Sequence, residues 1–139
     1  MPKKDTKPDC TVFLLAKAFQ KAHGLVKKRL KPFGLTNIQH LVLEGLWYQA
    51  GVTASELGKV LRLDKATLSG VLERMDEAGW IIKEQDANDK RVIRLHPSKQ
   101  ADELKTSLIE ARQKANEELL VGFNLEEKVL LKRLLRDLI

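Results

Sequence analysis

Apolar residues recur at helical spacing from Asp9 to Lys31, where Val12, Phe13, Leu15, Ala16, Phe19, Ala22, Val26 and Leu30 form one stripe. Pro32 stops that helix, because proline lacks the N–H that the next turn needs. Phe33-Gly34-Leu35 is a short connection. Thr36-Asn-Ile-Gln39 is a capping box, in which the threonine caps the helix start and the glutamine reaches back. The helix it opens turns Ile38, Leu41, Val42 and Leu46 inward and is expected to close at Gly51 as a C′ glycine. Thr53-Ala-Ser-Glu56 repeats the capping box and starts a short helix through Leu61, with Leu57, Val60 and Leu61 inward. After the turn Arg62-Leu63-Asp64, Asp64 caps a helix from Lys65 to Ala78. Its inward face is Leu68, Val71, Leu72 and Met75, and Gly79 closes it.

The pattern then changes. Trp80-Ile-Ile-Lys-Glu84 and Arg91-Val-Ile-Arg-Leu95 are rich in β-formers, and the polar run from Gln85 to Lys90 separates them, so they read as a hairpin. Ser98 caps a long helix to about Val121, with Ala101, Leu104, Leu108, Ala111 and Ala115 as its stripe. Asn124-Leu-Glu-Glu127 opens a last helix. That helix carries Leu130, Leu131, Leu134, Leu135, Leu138 and Ile139, apolar on two faces. A monomer would expose much of that surface, and large exposed apolar patches mark interfaces. The fold class is therefore mainly α with a small β-hairpin, in one domain spanning 1–139. Residues 9–31 and 99–139 are expected to form dimerisation helices around a central unit, 36–98. A thicker core within one chain is the alternative.

Composition narrows the class. The 139 residues include 43% hydrophobic and 32% charged residues, enough core formers to exclude a disordered chain. No run of about 18 apolar residues is present to span a membrane. The first nine residues have no apolar segment of the kind a signal peptide needs. A single cysteine, Cys10, suits a reducing, cytoplasmic setting. Gly-rich phosphate loops, nucleophile elbows and zinc-protease motifs are missing from the sequence, which argues against an enzyme and against a cofactor. The net charge of +6 suggests a polyanion partner until the charges are placed.

Two short helices joined by a tight turn make a helix-turn-helix if they cross closely. Gly58 lies mid-helix in the first of them, where close approach of the second would explain it. The outward face of the second helix is Lys65, Ala66, Thr67, Ser69, Gly70 and Arg74. Short polar side chains there would let the helix sink into a DNA major groove, and Gly70 would bare the backbone to the bases. Alone, this is equally an ordinary solvated face. The hairpin that follows favours a winged helix, its tip bringing Lys90 and Arg91 to the backbone and the minor groove. Asp89 is expected to pair with Arg91 and fix its rotamer.

Thr53-Ala-Ser-Glu-Leu57, Leu63-Asp-Lys-Ala-Thr-Leu-Ser69, Leu72-Glu-Arg-Met75, Gly79-Trp-Ile81 and Asp86-x-x-Asp89-x-Arg91, in this order and spacing, resemble the MarR family of winged-helix transcriptional regulators. The resemblance runs from about Val12 to Ile139. It implies a homodimer with interlocked terminal helices, a recognition helix in each of two successive major grooves of double-stranded DNA, and Arg91 in the minor groove. It places Thr36, Thr53 and Ser55 at helix starts facing phosphates, which agrees with the positive helix end. The implied role is a repressor of a pseudo-palindromic operator, released by a small aromatic or phenolic effector. Two departures stand out. Asn88 occupies a place where the family often has a second wing arginine, and Leu95-His-Pro-Ser-Lys-Gln-Ala101 replaces the family's Leu-Thr-x-x-Gly.

For the effector, the candidates are Phe19, His23, Phe33, His40 and Trp47, although aromatics at helical spacing are usually core. Cys10, near the start of the first helix, is where some relatives sense hydroperoxides, so a thiol-based repressor is the alternative. Those relatives hold the thiol with tyrosines, and Tyr48 is the sole tyrosine. His23, His40 and His96 are too scattered for a metal site. A winged helix used for protein–protein contact is the alternative of another class. Charge placement shifts the emphasis: residues 1–35 carry 9 basic and 2 acidic groups, 36–98 carry 8 and 9, and 99–139 carry 8 and 8. The basic excess thus lies in the N-terminal segment, with Lys27, Lys28, Arg29 and Lys31 close in sequence to Thr36.

Overall fold

The computed structural model describes residues 8–139. The reading of the extreme N-terminus, including Lys3, Lys4 and Lys7 of the basic segment, lies outside them. Six helices and one hairpin follow in order: α1 (Thr11–Leu30), α2 (Asn37–Tyr48), α3 (Ala54–Leu61), α4 (Lys65–Glu77), β1 (Ile81–Gln85), β2 (Ile93–Pro97), α5 (Lys99–Leu119) and α6 (Leu125–Leu138). No described helix is long and apolar enough to cross a membrane. The core joins Leu30 of α1, Val42, Leu43 and Leu46 of α2, Leu57 of α3, Leu68, Leu72 and Met75 of α4, Leu95 of β2 and Leu108 of α5.

The caps are where the sequence placed them. Thr36, Thr53 and Asn124 each close a two-way capping box, and Asp64 and Ser98 accept from the third N–H of their helices. Gly58 also has its expected cause. A Cβ there would stand 3.3 Å from Leu68 Cδ2 and 3.4 Å from the Leu63 carbonyl, so α3 and α4 cross at glycine distance.

Several boundaries differ from the sequence reading. α1 begins at Thr11 and runs on as a 3-10 turn through Lys31–Phe33, because Pro32 fits the first turn of a helix. α2 ends at Tyr48, not at Gly51. Gly51 instead sits in a left-handed turn (φ 84°) and donates its N–H to the Leu95 carbonyl at 2.8 Å. The next residue, Val52, pairs with Leu95 and adds a short third edge to the hairpin. Val60, expected inward, is 69% exposed. Leu57, Leu61 and Gly58 share one side of α3, and the contact with α4 uses that side, leaving Val60 beyond its edge. α5 stops at Leu119, before the left-handed Gly122.

The hairpin is antiparallel, with Ile81 opposite Pro97 and Gln85 opposite Ile93. Its loop is 86–92, so Arg91 belongs to the tip, not to the second strand. The reason is Asp86: its carboxylate accepts from the N–H groups of Asn88 and Asp89, and that turn overrides the β-propensity of the residues after it.

The terminal helices are the least covered. Leu30 is buried, but Val12, Leu15 and Phe19 of the same stripe are exposed, because α1 packs chiefly on α5 and its N-terminal half has no cover. α6 has no buried residue, and Val129, Leu130, Leu134, Leu135 and Leu138 are all exposed.

Candidate functional site

α4 presents Lys65, Ala66, Thr67, Ser69 and Arg74 on its exposed side, over the buried Leu68, Val71, Leu72 and Met75. Two of the expected roles change in detail. Thr67 donates its hydroxyl hydrogen to Asp64 Oδ2 at 2.7 Å, while its N–H bonds Oδ1 at 2.8 Å. Both contacts hold the Asp64 carboxyl below the usual aspartate range. Thr67 therefore keeps its methyl and its acceptor lone pairs for a ligand, not its donor. Gly70 does not leave bare backbone, since the Arg74 guanidinium lies 3.5 Å from where its Cβ would be. Leu63, Leu68 and Leu72 floor a cavity of about 620 Å³ between α3, α4 and the hairpin, and Ser55, Lys65 and Lys83 bring polar groups to it.

At the helix starts, the hydroxyls of Thr36 and Thr53 accept from the N–H of Gln39 and Glu56, each at 3.2 Å. Ser55 is exposed in the first turn of α3.

On the wing, Lys90 and Arg91 are exposed, with the Arg91 side chain 90% accessible. Asp89 grips Arg91 in the expected fork: Nε donates to Oδ1 and Nη2 to Oδ2, both at 3.1 Å. These bonds hold the Asp89 carboxyl low and the guanidinium in one direction, with the remaining donors facing solvent. Sequence reasoning missed Arg94. This β2 residue reaches Asp86 at 2.7 Å and the Gly51 carbonyl at 2.9 Å. Asp86 is held low, first by Arg94.

The five effector candidates are not gathered in one cavity. Phe19 and His23 stack obliquely on α1, with ring centroids 5.6 Å apart and Phe19 exposed. Phe33 is half-buried and packs on the core. His40 and Trp47 meet edge to face, but both are internally committed. Trp47 Nε1–H donates to Asp102. His40 is fully buried, with Nε2 3.1 Å from the Leu108 carbonyl and Nδ1 accepting from Arg112 Nε at 2.9 Å. Those partners assign the proton to Nε2. Burial, and next the Arg112 charge, push the His40 pKa down to about 4, against the Leu108 carbonyl, which raises it.

Arg112 is the second residue missed. It lies on the polar-looking middle of α5, and its partners come from 68 or more residues away. It also bonds Asn37 of α2 and stands 3.5 Å from Glu44. Burial raises the Glu44 carboxyl, opposed by Arg112. Arg112 and Glu44 line a cavity of about 400 Å³ between α1, α2 and α5, together with Ala22, Val26, Ile109 and Leu119.

Cys10 caps α1, its exposed sulfur accepting the Phe13 N–H at 3.4 Å. Tyr48 stands exposed at the end of α2. His96 pairs with Glu84 across the hairpin. Among the described residues no group of three or more His, Cys, Asp or Glu is placed to hold a metal.

Residues 35–93 match the MarR family model. The chain is 31% identical over 120 residues to the uncharacterized HTH-type transcriptional regulator YwoH of Bacillus subtilis, covering 84% of this chain and 87% of that protein. It is 34% identical over 82 residues to the HTH-type transcriptional regulator TtmR of Methylorubrum extorquens, a match spanning 59% of this chain and 40% of that longer relative. Its fold superposes on a crystal structure of a mutant MarR from E. coli complexed with operator DNA, with a TM-score of 0.85 and 26% identity, over 92% of each chain.

Proposed function

The chain belongs to the MarR family of DNA-binding transcriptional regulators, and from that premise we propose that it acts as a homodimeric repressor of a pseudo-palindromic operator, released by a small aromatic acid. The observation that carries the DNA reading is the wing: Arg91 is pre-set by Asp89 on the same unit as the exposed, short-chained face of α4. α4 would lie in the major groove, with Ala66, Thr67 and Ser69 against base edges and Lys65 and Arg74 on the backbone. Arg91 and Lys90 would enter or border the adjacent minor groove. The starts of α2 and α3, at Thr36, Thr53 and Ser55, would meet phosphates. Two copies joined through α1, α5 and α6 would read half-sites about 10 bp apart.

Arg91→Ala is expected to weaken binding to the preferred duplex, selected from a random pool, by about 1–3 kcal/mol, and to lower the salt slope by about one. Ser69→Ala should instead flatten the preference among duplexes, since base contacts specify while phosphate contacts position. Equal loss on all sequences for Ser69→Ala, or an unchanged salt slope for Arg91→Ala, would contradict these roles.

The cavity between α1, α2 and α5 suits the effector better than the five aromatic candidates. Its wall is apolar at Ala22, Val26, Ile109 and Leu119 and polar at Glu44, Gln113 and Asn116, and among the described residues Arg112 Nη1 has no hydrogen-bond partner, so it can offer a donor to a carboxylate. Arg112 also holds α2, so a ligand that draws on the guanidinium would favour one placement of the reading unit over another. A hydroxybenzoic acid titrated into the protein–operator complex should release the wild type, while Arg112→Gln should no longer respond. An equal response from both proteins removes Arg112 from the site.

A further inference from the structure

Arg94 sits where the two DNA-facing parts of the unit meet. Its Nε donates to Asp86 Oδ1 on the wing at 2.7 Å, and its Nη1 to the Gly51 carbonyl, in the turn before α3, at 2.9 Å. That turn is already stitched to β2: the Gly51 N–H reaches the Leu95 carbonyl at 2.8 Å, and the Leu95 N–H reaches the Val52 carbonyl at 2.9 Å. Glu56, the capping-box carboxylate of α3, adds its negative charge beside Arg94. On the other side, the second oxygen of Asp86 shapes the tip by accepting from Asn88 N–H at 3.1 Å and Asp89 N–H at 3.0 Å. Asp89 then accepts the Arg91 N–H at 3.0 Å and its guanidinium fork. A chain of polar contacts thus runs from the turn before α3 to the exposed arginine at the tip.

We propose that Arg94 is a positioning residue that fixes the wing relative to the N-terminus of α3, and so sets the depth at which Arg91 meets the minor groove, without touching DNA. This rests on the wing reading above. Two of its nitrogens are spent on protein acceptors in two different segments. A planar guanidinium can hold both at once, whereas a lysine, as one compact charge, satisfies them less well. Without this link Asp86 still shapes the loop and Leu95 still ties β2 to the turn, but the loop loses its own tie to the Gly51 carbonyl.

The test uses the full chain and a duplex selected against it from a random pool, titrated over a range of salt. Arg91→Ala, Arg94→Ala, Arg94→Lys and the double variant Arg91→Ala/Arg94→Ala are compared. Arg91→Ala is expected to cost about tenfold or more in affinity and about one unit of salt slope. Arg94→Ala should reproduce most of that loss, and the double variant should bind no worse than Arg91→Ala alone. Arg94→Lys, which keeps the charge, should resemble Arg94→Ala. Additive losses with about two units of slope would make Arg94 a direct phosphate contact and overturn the proposal. So would full affinity in Arg94→Lys. A silent Arg94→Ala beside a weakened Arg91→Ala refutes the positioning role alone, while a silent Arg91→Ala removes the wing reading and this proposal with it. Should Arg94→Ala fail to fold, Arg94→Met, which keeps the stem but removes both donors and leaves the Asp86 turn untouched, must show the same non-additivity with Arg91→Ala.

Discussion

Replacing Leu130 and Leu134 together by aspartate is expected to turn the protein into a monomer and to lower its affinity for a two-half-site operator by about 10²–10⁴-fold. Both leucines are exposed in the single chain, so the subunit itself loses little. α6 has no buried residue, and Val12, Leu15 and Phe19 of α1 are exposed as well. An amphipathic helix gains most of its stability from packing its apolar face, so α6 needs a partner surface. Charge placed in that surface would have to be desolvated on association, at a cost of several kcal/mol. In the proposed dimer the loss on DNA follows from avidity: joined subunits would place the second α4 near its half-site once the first has bound. Sedimentation and a gel shift with one or two half-sites check this. The double variant should bind a single half-site as the wild-type subunit does. A dimer of unchanged operator affinity would refute the α6 interface.

Acidification should expose the second large effect, at His40. In the native state its pKa lies near 4, below the ordinary value of 6.5. Between those values the unfolded chain binds a proton that the folded one refuses, so stability falls as pH drops from about 6.5 to about 4. It is fully retained above that window. The complete loss is about 3 kcal/mol, at roughly 1.4 kcal/mol per pH unit. The cause is local. A protonated ring would lose its acceptor role toward Arg112 Nε and would face that cation with only Glu44, 3.7 Å away, to offset it. Urea unfolding at pH 7.5 and 4.5 measures the effect against His40→Gln, whose amide can still serve the Leu108 carbonyl but does not titrate. Carboxylates titrate in both proteins, so the difference between the two pH profiles isolates His40. Parallel profiles would show that the ring is not held neutral.

The helix starts were legible because capping is local: Thr36, Thr53 and Asn124 are each read from four consecutive residues, and each closes its box. The α4 core face was legible for the same reason, since Leu68, Val71, Leu72 and Met75 follow one helical period. The Asp89–Arg91 fork spans only two residues and was legible too. What failed depended on distant partners. The end of α2 was misplaced because Gly51 is held by Leu95, far along the chain. The hairpin boundary slipped because the Asp86 carboxylate sets the loop, and Val60 was turned inward although α3 meets its neighbour through the Gly58 side. The aromatic effector candidates are not gathered in one cavity of the chain, since type and spacing do not tell which rings have internal partners.

By itself, then, the sequence determined the order of elements, the capped starts, the division of α4 into a buried and an exposed face, and the surplus of apolar surface on the terminal helices. Each of these is set by interactions within one or two helical turns, where periodicity and propensity act directly. Only the tertiary structure decided where Arg94 and Arg112 belong. Both look like solvated charges in a linear reading. Packing brings Arg94 to Asp86 and Gly51, and Arg112 to His40, Asn37 and Glu44. Arg112 is drawn largely out of water and must find acceptors with fixed geometry, whereas Arg94 stays partly exposed and is held by the two acceptors the fold brings to it; which acceptors those are is a property of the fold.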